Sequence, residues 1–370
     1  MNKVAKRFPM CCYCGACAAF IPYFDQFKKD EAMTKKGCIE LSPQGSCFDV
    51  CPKSYAICSE DRGGCIRNDY NNCNLNLGNN LNGHEGIGYY ESIVSARATN
   101  KDHAKKGQDG GVVSTLLDLA LKEGIIDSAV VAGKSESEPW RPEPIIATDT
   151  EDILSSSGSK YTACPSILGV LNAIDEGYEK IALVGTPCNI EAMRKIQSQH
   201  DNNLHADRVK LLIGLFCTEM FWYYDLIQYL KEVGVDIDDV SKFDISKGKF
   251  VVYTTDGKKE LSLKELEPFV RSSCEVCNDF SSEFADISAG SIGSDEGWTT
   301  LIVRTKKGED LINLAVDRNV IETEPISSEA FSKIKKASIN KKIKNWDNLL
   351  QQMEYCAACL SSPSPEILMA

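Results

Sequence analysis

Apolar residues along the middle of the chain recur in two alternating periods. In GGVVSTLLDLALKEGIID (110–127) they return every three or four positions, which predicts an amphipathic helix following a glycine turn. The next run, SAVVAG (128–133), is short and continuously apolar, the pattern of a buried strand. The unit repeats as SILGVLNAIDEG (166–177) then KIALVG (180–185), and as CNIEAMRKIQ (188–197) then VKLLIGLF (209–216). Helices alternating with such strands predict an α/β fold, a mixed, largely parallel sheet flanked by helices. KFDISKGKFVVYTTDGKKEL (242–261) predicts a hairpin turning at Lys247-Gly248. Aromatic MFWYYDLIQYL (220–230) reads as a helix packed on the sheet. NWDNLLQQMEYCAACLSSPSPEI (345–367) reads as a docking helix that ends in proline-rich coil, with Leu349, Leu350, Met353 and Cys356 on one face. Asn-rich NNCNLNLGNNLNGHEGIG (71–88) has little to bury. The chain therefore divides into a cysteine-rich segment (1–75), a linker (76–95), an α/β domain (96–332) and a basic stretch with the docking helix (333–370).

No apolar run approaches the roughly 18–20 residues that span a bilayer, which argues against direct membrane insertion. The opening MNKVAKRFPMCC lacks the apolar core of a signal peptide, so a cytoplasmic location is expected, with room for peripheral attachment to a membrane complex. A net charge of -12 over 370 residues argues against nucleic-acid binding. The local basic run KIKKASINKKIK (333–344) reads as a solvated helix face or loop, with a docking surface for an anionic ligand or partner as the rival.

The 17 cysteines change the picture, because in a cytoplasmic protein their C-x2-C spacing favours metal over disulfides. CCYCGACAAFIP (11–22) begins like a ferredoxin motif, C-x2-C-x2-C-x3-C-P, but Ile21 replaces the fourth cysteine. Cys47-x3-Cys51-Pro52 reads as the second half of a partner motif, whose two earlier positions are Leu41 and Gln44. In two-cluster ferredoxins the fourth cysteine of each motif serves the other cluster. By that rule Cys11, Cys14, Cys17 and Cys51 form one complete ligand set, while the other set keeps Cys47 alone. This predicts a ferredoxin-like segment with one [4Fe–4S] site, against a zinc knot built from the same thiolates. Cys12, Cys38, Cys47, Cys58, Cys65, Cys73, Cys164, Cys356 and Cys359 receive no role.

A second thiol set falls in the α/β domain. Cys188 and Cys217 follow predicted strands, and ligands gather at the carboxyl ends of strands in such sheets. With the pair Cys274 and Cys277 they make a tetrathiolate candidate for [4Fe–4S], against zinc or inert core thiols. GQDGGVVS (107–114) opens a helix and can offer N–H groups to a phosphate, although a plain tight turn also explains it. SSSGSKY (155–161) is a second donor-rich loop, for phosphate or flavin or neither. His103, just before the glycine turn, reads as an exposed loop residue.

Taken together, GQDGGVVSTLL, GSKY, VGTPCNIEAM, GLFC and CEVCNDFSSEFADISAGSIGSDEGWTTLIVRT resemble the beta-subunit family of coenzyme F-420-reducing hydrogenase, from about Gly88 to Lys306. That family includes the beta subunit of formate dehydrogenase and the input subunit of F-420H2 dehydrogenase. The resemblance implies an oxidoreductase subunit that exchanges hydride between coenzyme F-420 and FAD. Electrons would leave singly through at least two [4Fe–4S] clusters to redox partner subunits of a larger complex. It further implies Cys188, Cys217, Cys274 and Cys277 as cluster ligands, and Gly107, Asp109, Gly110, Gly111, Ser114, Ser157, Ser159, Lys160 and Tyr161 as FAD contacts. DISAGSIGSDEGW (286–298) would shape the flavin pocket, and no side chain need act as a catalytic nucleophile. Lys160, Arg271 and Arg304 are candidate partners for the anionic coenzyme, each with a structural charge as its rival. The competing functions are an FAD/iron–sulfur reductase of the same family acting on another substrate, such as the plant hydroxymethyl-chlorophyll reductase branch, and a zinc-stabilised scaffold without redox chemistry.

Overall fold

A computed structural model describes residues 11–17, 50–53, 86–198 and 204–361, with side chains to residue 348. Strand β1 (Ser92–Ala98) leads into helices α1 (Lys101–Lys106) and α2 (Val112–Lys122). Next come β2 (Ser128–Lys134), β3 (Pro142–Ala147), α3 (Thr150–Ser155) and α4 (Ser166–Asp175). They are followed by β4 (Ile181–Gly185), α5 (Pro187–Gln197) and β5 (Val209–Leu215). Helix α6 (Tyr223–Glu232) precedes β6 (Val240–Ser246), β7 (Lys249–Thr254) and β8 (Gly257–Ser262). The chain returns through β9 (Ile287–Gly290), β10 (Thr299–Val303), α7 (Lys306–Asp317) and β11 (Ile321–Pro325), then enters α8 (Ser328–Ser361). β1 starts inside the stretch read as linker, and α8 starts ahead of the boundary drawn at 332.

One mixed sheet carries the order β11-β1-β10-β9-β5-β4-β2-β3. Its centre, β9, β5, β4 and β2, is parallel. The outer pairings, β10, β1 and β11 on one side and β3 on the other, are antiparallel. Strand alternation divides the apolar residues between two faces. Val131, Val184, Leu211 and Ile213 meet Leu116 and Leu117 of α2 and Leu311 of α7. Val130, Leu183 and Leu212 meet Ile167 and Val170 of α4 and Ile190 and Met193 of α5. All of β4 is buried, because helices cover both faces, and so it reads as an unbroken apolar run. Each such Leu or Ile contributes about 1.5–3 kcal/mol on burial. Gly169 lets α4 approach the sheet, since a Cβ there would stand 2.7 Å from atoms of Pro144 and Val130.

The expected hairpin at 242–261 is the core of a three-stranded meander, β6-β7-β8. Lys247 (φ 51°) and Gly248 (φ 75°) make its first turn, the doubly positive pair a tight hairpin favours. The third strand, GKKELS, buries only Leu261, so its polarity hid it. The meander and α6 enclose a second core around Phe221, Phe243, Phe250 and Leu230. The aromatic helix thus packs on this smaller sheet.

His103 departs from the exposed loop expected of it. It lies in α1, buried, with Nε2 3.5 Å from Asp118 Oδ2. Asn100 caps α1 by accepting from the N–H groups of Asp102 and His103, which starts a helix where a loop was read. Burial lowers the His103 pKa against the opposing pull of Asp118. Among the described residues no helix is long and apolar enough to cross a membrane. Cys38, Cys47, Cys58, Cys65 and Cys73 lie outside the described residues, as do the side chains of Leu349, Leu350, Met353, Cys356 and Cys359.

Candidate functional site

The carboxyl ends of β4 and β5 open into a cavity of about 360 Å3. Parallel α/β sheets gather their ligands at this end. Gly107, Asp109, Gly111 and Ser114 line it from one loop, and Ser157, Ser159, Lys160 and Tyr161 from another. Gly290, Ser291 and Ile292, from the 286–298 stretch, line it too. Gly110 stands behind this wall, its N–H donating to Thr299 Oγ1 at 3.1 Å.

Gly111 caps α2 with φ 68°, and a Cβ on it would lie 2.2 Å from the His103 carbonyl oxygen. Only glycine fits this turn. Ser114 and Thr115 both donate back to the Gly111 carbonyl at 2.9 Å, and no side chain caps the N–H groups of the first turn. The positive end of α2 therefore borders the cavity uncapped, an arrangement suited to a phosphate. Gln108, which sequence reasoning passed over, ties the walls together. Its Nε2 donates to Phe243 O and Asp244 Oδ1, both at 3.1 Å, and its Oε1 accepts from Ser159 N at 2.8 Å. The Tyr161 hydroxyl accepts from Ile245 N at 3.0 Å, joining the second loop to the meander.

Charge on the cavity wall is perturbed. Burial, then repulsion from Asp244, pushes the Asp109 carboxyl up to about 6. Burial, then the neighbouring Lys134, brings the Lys160 ammonium down to about 8. That ammonium donates to Ser156 O and, at 3.0 Å, to Gly158 O. Of the three cations proposed for an anionic coenzyme, Lys160 alone borders the cavity. Arg304 is a structural bolt, donating to Ser288 Oγ (2.7 Å), Ile87 O (3.1 Å), Tyr89 O (2.7 Å) and Ser281 O (3.0 Å). Arg271 is buried with its guanidinium 3.8 Å from the Trp222 ring centroid and donates to Cys11 O at 3.1 Å.

Cys188 lies in the first turn of α5, Cys217 just past β5, and Cys274 and Cys277 at a short 3-10 turn. The fold brings the four together. Burial raises the Cys217 thiol, and Cys274, Cys188 and Cys277 add to the shift. Cys217 also lines the cavity. Thr186 Oγ1 lies 3.1 Å from Cys188 Sγ, and Met220 N donates to Cys274 Sγ at 3.3 Å. Burial opposes ionisation of Cys277, yet Lys341 and Lys53 draw its thiol below the ordinary value. Among the described residues no three His, Cys, Asp or Glu side chains stand at single-ion spacing. The donor set is nonetheless all sulfur, with hydrogen bonds to the sulfurs and two buried ammonium groups beside it. Those features suit an iron–sulfur centre, whose thiolates are deprotonated and whose charge needs compensation.

The outer set also converges. The Cys14 thiol hydrogen-bonds with Cys12, is raised by burial, and lies in the field of Cys51 and Cys17. Cys11 and Cys17 pack on Tyr13, whose N–H donates to Cys11 Sγ at 3.3 Å. Lys195 Nζ donates to Cys51 O at 2.7 Å and Ile167 N to Cys14 O at 3.0 Å, which docks both cysteine segments against α4 and α5. Cys12, left without a role by its spacing, lies in the field of both Cys14 and Cys188 and so neighbours both sets.

A mixed α/β sheet thus brings a glycine-walled cavity and a buried sulfur set together at its parallel strand ends. The chain belongs to the coenzyme F420 hydrogenase/dehydrogenase beta-subunit family, and it is an oxidoreductase. The family's amino-terminal region matches residues 93–172 and its carboxyl-terminal region matches residues 178–329. The beta subunit of the coenzyme F420 hydrogenase from Methanothermobacter thermautotrophicus is 40% identical over 273 residues, 72% of this chain and 97% of that protein. A subunit of the F(420)H(2) dehydrogenase from Methanosarcina mazei is 32% identical over 333 residues, 87% of this chain and 88% of that protein. The coenzyme F420-dependent sulfite reductase of Methanocaldococcus jannaschii is 34% identical over 94% of this chain but only 52% of its own length. One polypeptide of the F420-reducing [NiFe] hydrogenase complex from Methanosarcina barkeri superposes with a TM-score of 0.69 at 36% identity, covering 72% of this chain and 93% of that one. The resemblance read from the motifs is borne out.

Proposed function

We propose that this chain is an iron–sulfur flavoprotein that exchanges hydride between coenzyme F420 and FAD and relays single electrons to or from a redox partner. One observation carries the proposal: two loops distant in sequence, Gly107–Ser114 and Ser157–Tyr161, line the same cavity as Cys217. The relatives' names supply the coenzyme. FAD and [4Fe–4S] clusters, when bound, supply the conversion between two-electron hydride transfer and one-electron relay.

The chain's own residues position and shield. The uncapped amino end of α2, with Gly107, Gly111 and Ser114 on the cavity wall, suits the flavin's pyrophosphate, and Gly110 backs this wall through its bond to Thr299. Ser157, Ser159 and Tyr161 close the opposite wall, and Gln108 holds the two walls in register. Lys160 offers positive charge to an anionic ligand, while Asp109 can hold or release a proton near neutral pH. Cys188, Cys217, Cys274 and Cys277 would hold the inner cluster, and Cys11, Cys14, Cys17 and Cys51 the outer. Residues 96–332 then form the flavin and coenzyme domain, and 1–75 the relay toward the partner.

The test is to add reduced coenzyme F420 to the flavin-loaded, oxygen-free protein. Bleaching of the flavin absorption, with oxidation of an equal amount of the coenzyme, is expected. A flavin spectrum that stays unchanged contradicts the proposal.

A further inference from the structure

Helix α8 lies almost wholly beyond the family match, which ends at residue 329, yet it reaches the inner thiol set. Its buried face is Ile334, Ser338, Lys341 and Asn345, at the alternating four- and three-residue intervals that keep side chains on one side of a helix. Ser338 Oγ donates to Gly86 O at 2.8 Å and ties this face to the segment ahead of β1. Lys341 Nζ donates to Cys217 O at 2.7 Å and to Asp279 O at 2.9 Å. One turn on, Asn345 Nδ2 donates to Cys274 O at 2.8 Å and Cys277 O at 2.6 Å. Asn348 Nδ2 adds a bond to Glu275 O at 3.2 Å. The helix thus holds the backbone of three of the four inner cysteines and buries an ammonium among them.

An isolated buried lysine tends to lose its proton. Lys341 has reason to keep it. Two carbonyl oxygens accept from it, one of them on the Cys217 backbone, and a donor with no acceptor capacity is held between them beside the sulfur set. Lys53 is the other cation facing these thiols, and the Asp279 carboxyl is the nearby acid. Lys344, on the outer side of α8, instead pairs with Glu219 at 3.8 Å.

We propose that α8 is part of the electron-transfer site, with Lys341 a positioning residue whose fixed charge raises the reduction potential of the centre held by Cys188, Cys217, Cys274 and Cys277, and Asn345 fixing the Cys274–Cys277 loop. This deepens the iron–sulfur reading above and rests on it. Reduction would add negative charge to the centre, and a unit positive charge held in the same buried site would favour that state. Its removal should lower the ratio of reduced to oxidised centre about tenfold at fixed poise, about 59 mV for a one-electron couple.

Three variants of the full chain test this, prepared without oxygen and followed by iron and sulfide content and by EPR-monitored redox titration. Lys341→Gln keeps hydrogen bonding and removes charge, Lys341→Arg keeps charge, and Lys344→Gln is the control on the same helix. A potential lowered in Lys341→Gln at unchanged iron content, with the other two near wild type, supports the proposal. An unshifted Lys341→Gln that retains its iron overturns it. Should Lys341→Gln not fold or load, Lys341→Arg decides: a potential near wild type supports the role of charge, and a fall of about 59 mV overturns it. Wild-type protein without iron and sulfide removes the iron–sulfur reading itself, a separate outcome that also ends the inference.

Discussion

Asp109 stands on the cavity wall with Asp244 and Lys242 in its field, and its carboxyl is pushed from 3.8 up to about 6 by burial first and Asp244 second. A carboxyl whose folded pKa is raised contributes stability that is whole below the unfolded value and is lost as pH rises through the folded one. Folding should therefore weaken by about 2 kcal/mol between pH about 4 and about 6, after allowance for partial solvent exposure. In cofactor-free protein, Asp109→Asn should be more stable than wild type at pH 7 by about that amount, with the gap closing by pH 4. Urea unfolding at the two pH values measures it, and equal stability at pH 7 would contradict the assigned environment. Other residues show what one-dimensional reading cannot weigh. Arg304 and Arg271 stood beside Lys160 as candidate anion partners, but neither lines the cavity, and backbone carbonyls and a tryptophan ring from distant segments hold them elsewhere. His103 looked exposed because its partner, Asp118, lies on the following helix.

At the scale of elements, the turn before α2 is the most exacting piece of backbone at the cavity. Gly111→Ala must place a methyl against the His103 carbonyl in a left-handed conformation. It should cost about 2 kcal/mol or more of stability and abolish flavin retention. A thermal melt and the flavin content after gel filtration check both, and full retention of flavin would remove this turn from the binding wall. The parallel centre of the sheet was legible because helices cover both its faces, so β2, β4 and β5 read as continuous apolar runs. The antiparallel margins were not. β11 buries only Ile321, β3 carries Pro142 and Pro144, and β8 is half charged, all of which edge strands tolerate. Both cavity loops were legible as donor-rich turns, but nothing in their spacing said that Gln108 would join them.

For the whole molecule, the cysteine spacings suggested both sets, and the crossover rule paired Cys51 with Cys11, Cys14 and Cys17 across a long intervening segment. Their nearness to the inner set, with Cys12 between Cys14 and Cys188, depends on the docking of the cysteine segments against α4 and α5, which no local pattern encodes. The basic run 333–344 was read chiefly as a solvated face, and Lys333, Lys336 and Lys344 are exposed, but the helical period turns Ile334, Ser338 and Lys341 inward and Lys342 pairs with Glu283. Sulfur ligands from separate segments are proposed to serve metal–sulfide centres beside a flavin, and the metal, sulfide and flavin content of the full chain isolated without oxygen, for wild type and Cys217→Ser, decides between this and a zinc scaffold. Iron and acid-labile sulfide in equal amounts with bound FAD are expected in wild type, with about four irons lost in the variant. Zinc as the sole metal, with no flavin, would contradict the account.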